Sequence, residues 1–159
     1  MADFTDLLGR LNRQKVGYVI IGGFATVLHG GTIVTEDVDI CCRFTAGNLL
    51  RLQKAFGGLH PVHRLTPKRL PLRLTAKNCR GLKNLYIETD WGIVDCLSEV
   101  LGVGDYAAVR KQSIVVKLPF GNCRVLSLDA LIKSKEAMDR PRDRETVIQL
   151  RAINTEKKS

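Results

Sequence analysis

The stretch that decides the fold is Tyr18–Cys42, YVIIGGFATVLHGGTIVTEDVDICC. Its apolar start, Tyr18 to Ile21, is β-branched and aromatic, the composition of a buried strand. Gly22-Gly23 then ends that strand. Phe24 to Leu28 is short and apolar, enough for one or two helical turns before Gly30-Gly31 stops it. A second strand is expected over Thr35–Cys42. In it Asp37 and Asp39 stand two residues apart and therefore share one face, while Val38 and Ile40 point to the other. The order is strand, glycine turn, helix, loop, strand, with two carboxylates close to a turn whose backbone can approach a phosphate.

Working outward, Phe4, Leu7, Leu8 and Leu11 follow helical spacing, so the chain starts as an amphipathic helix. The opening MADFTDLLGR is acidic and amphipathic, unlike a signal peptide. Ala46–Phe56 reads as a helix closed by Gly57-Gly58. Leu59–Lys68, with Pro61 and Pro67, reads as loop or edge strand. Leu70, Leu72 and Leu74 alternate with Pro71 and Arg73 and suggest a half-exposed strand. Asn84–Leu97 suggests a hairpin turning near Asp90-Trp91-Gly92. Tyr106–Gln112 reads as a short helix. Ser113–Leu118 and Cys123–Leu126 suggest a second hairpin.

Ser127 is placed to cap a helix with Leu128, Leu131 and Ile132 on its apolar stripe. Pro141 interrupts that pattern and opens a last helix over Arg142–Ile153. The polar tail NTEKKS is expected to fray. These elements imply an α+β fold, a mixed and largely antiparallel β-sheet flanked by helices. We expect one domain over residues 1–159, with a helical C-terminal segment at 127–153.

The chain has 159 residues and a net charge of +9. No apolar run approaches the roughly 20 residues of a membrane span, so no membrane partner is expected and the cytoplasm is the default location. Cys41, Cys42, Cys79, Cys96 and Cys123 are odd in number and lack C-x-x-C spacing. That argues against a disulfide framework and a zinc site. From Phe44 to Ile87 there is no Asp or Glu, yet nine bases: Arg51, Lys54, Arg64, Lys68, Arg69, Arg73, Lys77, Arg80 and Lys83. Such a stretch attracts polyanions, a nucleoside triphosphate or a nucleic acid, or else forms a solvated basic face.

Two further residues complete a candidate site. Asp95, in GIVDCL, stands among apolar residues, where an unpaired carboxylate is costly. Either a nearby cation or local backbone N–H groups would remove that cost. Lys135 falls on the apolar stripe of its helix, three, four and seven residues after Ile132, Leu131 and Leu128. There it either snorkels to water or meets an anion. Paired carboxylates repel unless a cation lies between them, and hard oxygen ligands of this kind suit Mg²⁺. His60-x-x-His63 is better read as a surface loop than a metal site. Trp91 is either core or a base-stacking platform.

Gly22-Gly23, Asp37-x-Asp39 and a single Asp on a later strand resemble the nucleotidyltransferase superfamily of polymerase-β-like fold. GIVDCLSEVLGVGDY and LSLDALIKSKEAMDRPRDRETVIQL resemble small stand-alone bacterial nucleotidyltransferase-like proteins, some of which act in toxin–antitoxin pairs. The resemblance runs from about Tyr18 to Leu150, least well over the basic middle. It implies two Mg²⁺ ions held by Asp37, Asp39 and Asp95, an NTP such as ATP bound at Gly22 and Gly23, and transfer of NMP to an acceptor with release of pyrophosphate. It implies that Lys135 and Arg142 neutralise the triphosphate and that Asp95 can take the acceptor's proton. tRNA, another nucleic acid, a protein or a small hydroxylated compound such as an aminoglycoside are the acceptors it leaves open. The alternative is a non-catalytic nucleotide- or RNA-binding module, or one partner of a toxin–antitoxin-like pair. The pattern departs at Ile33, where relatives carry Arg two residues before the Thr that precedes D-x-D.

Overall fold

A computed structural model of the chain describes residues 4–158. Met1–Asp3, part of the amphipathic opening, and Ser159, the end of the polar tail, lie outside them.

The chain opens with α1 (Phe4–Arg13), whose Leu7, Leu8 and Leu11 are fully buried, as their spacing requires. β1 (Tyr18–Ile21) is buried along its whole length. No separate turn follows it: Gly22 and Gly23 are the first residues of α2 (Gly22–Leu28). β2 is Asp37–Cys42, two residues shorter than its β-branched start suggests. Thr35 folds back locally instead, its hydroxyl donating to the Asp37 carbonyl at 2.7 Å. α3 (Ala46–Ala55) is capped by Thr45, whose hydroxyl accepts from the Asn48 amide. β3 (Val62–His63) is a short edge strand, and β4 (Asn84–Thr89) and β5 (Gly92–Leu97) form the expected hairpin.

β6 (Glu99–Val100) and β7 (Gly104–Asp105) make a small separate ladder with no counterpart in the sequence reading. α4 (Tyr106–Lys111), β8 (Ser113–Leu118) and β9 (Gly121–Leu126) follow as expected. Ser127 caps α5 (Leu128–Met138), accepting from the Ala130 amide.

Two expectations need correction. Leu70–Leu74 is not a strand. It makes one bridge, Val62 to Pro71, because Pro71 has no N–H to extend a ladder. Leu72 and Leu74 are buried and Leu70 is exposed, which explains the strand-like alternation. The last helix, α6 (Pro141–Lys158), runs through the polar tail rather than fraying at Ile153. Asn154 ties it to α5 by donating to the Asp129 carboxylate at 3.1 Å.

The seven-stranded sheet has the order β3-β4-β5-β2-β1-β9-β8. Only β5–β2 and β1–β9 pair in parallel; the other neighbours are antiparallel. The fold is therefore α+β, a mixed and largely antiparallel sheet flanked by helices. Its core joins Val19, Ile20, Val38, Ile40, Ile87 and Val94 of the sheet to Leu49, Leu52 and Phe56 beside α3 and Leu131 of α5. All five cysteines are buried free thiols and serve as small core residues. Trp91 packs on this core with the Arg10 guanidinium 4.5 Å from its ring centroid. Among the described residues no helix is long and apolar enough to cross a membrane.

Candidate metal and phosphate site

The parallel pairing of β2 with β5 builds the centre of the site. Its register sets Asp39 beside Asp95, and Asp37 beside Ile93. Asp37 shares a face with Asp39 by the two-residue period of a strand. Ligand oxygens of Asp37, Asp39 and Asp95 consequently lie within 4.8 Å of one another. The sequence expectation that a later strand delivers the third acid to the first two is met.

Asp39 carries the electrostatic strain. Burial pushes its carboxyl up to about 6, and the charges of Asp37 and Asp95 push in the same direction. Lys135 and Arg64 act against that rise. Among the described residues no hydrogen bond reaches the Asp37 or Asp39 carboxylate. Three clustered carboxylate groups are hard oxygen donors, two of them free, so the donor set fits Mg²⁺.

Gly22 fits under Asp39 because it has no side chain. A Cβ there would lie 2.6 Å from Asp39 Oδ2, and the backbone at φ +67° is one that other residues rarely adopt. Gly23 stands against Ile33 and Thr35. The glycine pair thus lets β1 turn into α2 directly beneath the carboxylates.

Two cavities meet at Asp39, Lys135 and Arg140. One, of about 540 Å³, is lined by Gly23, Ile33, Asp37, Asp39, Lys135, Arg140 and Arg142. The other, of about 670 Å³, is more apolar, with Ile21, Leu97, Val100, Val103 and Met138 in its wall beside Asp39 and Lys135. Lys135 is mostly buried, as its place on the helix stripe implies. Its ammonium lies 3.7 Å from Asp143. Burial lowers its pKa and Asp143 counters that effect. Arg142 is exposed on the wall of the first cavity.

Three residues of the site lay outside the sequence reading. Asp143 is 1% exposed and accepts from the Arg140 side chain at 2.5 Å and from the Arg140 amide at 3.1 Å. These bonds, Arg140's side chain first, hold its carboxyl below the usual range. Only the sequence RPRD, an acid at the first turn of a helix, hints at this cap. Arg140 itself lines both cavities. Arg64, one of the nine bases between Phe44 and Ile87, reaches Asp95 with Nε 2.9 Å from Oδ1 and Nη2 2.5 Å from Oδ2. Nothing local in HPVHRLTP marks it from the other eight.

The histidines take no part. His29 is buried, its Nε2 2.8 Å from the Leu126 carbonyl. His60 pairs with Asp90 at the surface, 2.6 Å away. Among the described residues the three aspartates are the one cluster of its kind able to hold a metal ion. No family model matches the chain, and no curated protein matches it.

Proposed function

We propose that the protein is a Mg²⁺-dependent nucleotidyltransferase that moves NMP from an NTP to an acceptor. The observation that carries this reading is the convergence of Asp37, Asp39 and Asp95 beside a cavity walled by Gly23, Lys135, Arg140 and Arg142. Carboxylates on one side and cations on the other match a metal-bound triphosphate, which presents both charges at once.

Asp37 and Asp39 are the free carboxylates and hold the metal, with Asp95 as third ligand. Mg²⁺ bound there supplies activation of the acceptor oxygen and stabilisation of the leaving phosphates. Lys135, Arg140 and Arg142 bind the phosphate oxygens. Lys135 and Arg140 are steadied for this by Asp143. These cations offset Ile33, which stands in the same wall where a relative would carry Arg. The nucleoside has the more apolar cavity beside Gly22 and Leu97 for its base. The acceptor oxygen forms its bond to the α-phosphorus, the bond from that phosphorus to the β-phosphate bridging oxygen breaks, and pyrophosphate leaves. On this reading Asp95 takes the acceptor's proton. The exposed basic span from Arg51 to Lys83 favours a nucleic acid such as tRNA as acceptor over a protein.

The Arg64 clamp on Asp95 favours a second reading, a non-catalytic nucleotide- or RNA-binding module or one partner of a toxin–antitoxin-like pair. Incubation with each NTP labelled at the α-phosphorus, Mg²⁺, and total RNA or lysate separates the two. We expect label on a macromolecule with the native protein and none with Asp37→Ala/Asp39→Ala. Absence of transfer with every NTP overturns the catalytic reading.

A further inference from the structure

Arg64 uses both oxygens of Asp95 in a two-pronged pair, and both side chains are mostly buried, 24% and 9% exposed. A carboxylate engaged this way has little left to offer a cation. The arm comes from the far side of the site. Arg64 directly follows edge strand β3, its amide donates to the Tyr86 carbonyl at 3.0 Å, and its guanidinium lies 5.5 Å from the Tyr86 ring centroid. Tyr86 on β4 is the register neighbour of Asp95 on β5. The side chain therefore crosses one strand to reach the carboxylate. Gly22 and Gly23 lie beyond β2 on the opposite side, and Arg64 lines neither cavity at Lys135.

In sequence Arg64 lies within the basic span. Arg51, Lys54, Lys68, Arg73, Lys77, Arg80 and Lys83 are all exposed, and none has a carboxylate partner among the described residues. Gln53 bonds both the amide and the carbonyl of Leu74, bringing α3 with Arg51 and Lys54 to Arg73. The bonds His63 N–H to Leu70 carbonyl and Leu72 N–H to Pro61 carbonyl fold the loop that carries Lys68 back along β3. The large apolar side chains exposed in this span are Leu65 and Leu70, a poor anchor set for a protein interface. Unpaired cations without exposed aromatics suit a phosphodiester backbone read by charge.

We propose that Arg64 is a positioning residue that latches the third carboxylate: it holds Asp95 while no acceptor is present, and a phosphate of a nucleic acid drawn in by the exposed basic residues of the 51–83 span takes the guanidinium and frees Asp95 for the metal. The exchange is balanced in kind, since guanidinium pairs bidentately with phosphate as well as with carboxylate. Its consequence is a metal site of two ligands without acceptor and three with it, which protects bound NTP from attack by water. This inference rests on the metal-site reading of Asp37, Asp39 and Asp95.

The test uses full-length protein without nucleotide or RNA, titrated with Mn²⁺ and read by the electron paramagnetic resonance of the free ion. Arg64→Ala is expected to bind Mn²⁺ about tenfold more tightly than the native chain, by adding a carboxylate ligand. Arg64→Lys, which keeps the charge but not the fork, falls between. The gain disappears when Asp95→Asn is present in both members of the comparison. A gain that survives Asp95→Asn reflects general charge and overturns the latch, as does no gain at all. If no variant binds Mn²⁺, the metal-site reading fails together with the latch; if the native chain binds and Arg64→Ala gains nothing, the latch alone fails. In EDTA, Asp95→Asn tightens binding of a fluorescent oligouridine by about fivefold through the freed guanidinium. Asp37→Asn, the same charge change, does so less. Equal effects overturn the exchange with phosphate, and polyglutamate binding as tightly as oligouridine overturns the nucleic-acid assignment.

Discussion

Asp143 and Asp39 both act on the charge of Lys135 and are opposite in character. Asp143 is almost wholly buried, yet Arg140 and Lys135 surround it and its carboxyl is held low. Asp39 is less buried, yet its nearest charged neighbours on the sheet are Asp37 and Asp95, and its carboxyl rises to about 6. Among the described residues the chain gives Asp143 cations in direct contact and gives Asp39 only more distant ones. Asp143 is thus a structural acid that fixes the corner between α5 and α6. Asp39 is an acid whose partner, on the proposed reading, arrives from solution.

The largest effect expected from this contrast is on chemistry. Asp37→Ala/Asp39→Ala removes both free carboxylates, and nucleotidyl transfer should fall about a thousandfold or more, measured as label incorporated per minute. Asp143→Ala leaves the metal ligands in place, so any residual transfer in it should exceed that of the double variant. Equal loss would erase the distinction between the two acids.

Next comes Gly22→Ala. It forces a Cβ to 2.6 Å from Asp39 Oδ2 at a positive φ, and should cost about 2–4 kcal/mol in urea unfolding. Gly58→Ala has positive φ but open space around it, and should cost about 1 kcal/mol. Similar costs at both positions would mean that the approach to Asp39 is not tight.

Much of this arrangement is legible in the sequence, for identifiable reasons. The alternation of Asp37-Val38-Asp39-Ile40 and of Val94-Asp95-Cys96 is local, and so is the burial of strands on either side. Lys135 betrays itself by falling on the stripe of Leu128, Leu131 and Ile132. Asp143 and Arg64 are not legible, because their meaning comes from partners brought together by folding. Arg64 and Asp95 are 31 residues apart in sequence and meet only because β3, β4 and β5 lie side by side. Leu70–Leu74 misleads for the converse reason: buried loop leucines reproduce strand periodicity without a ladder.

The two acids also predict opposite signs for stability. Asp143→Ala removes the partner of Lys135 and Arg140 and should destabilise by about 2 kcal/mol. Asp39→Asn should stabilise the metal-free protein at pH 8. A carboxyl raised in the folded state binds its proton more tightly there, so its contribution to stability is present at low pH and lost as pH rises from about 4 through about 6. After allowing for the part still in water, the gain is about 1–2 kcal/mol at pH 8 and none near pH 4. Saturating Mg²⁺ should stabilise the native chain more than the variant and remove that advantage. Denaturant melts at the two pH values, with and without Mg²⁺, test both signs.

On the proposed reading, the uncompensated acids direct a metal-bound triphosphate for attack at its α-phosphorus. Parallel reactions with NTP labelled at the α- or the γ-phosphorus, in Mg²⁺ and with total RNA as acceptor, test it most directly. The expected result is α-label on RNA, γ-label released as pyrophosphate, and neither in EDTA. Transfer of γ-label to the acceptor, or α-label transfer that persists in Asp37→Ala/Asp39→Ala, would contradict it.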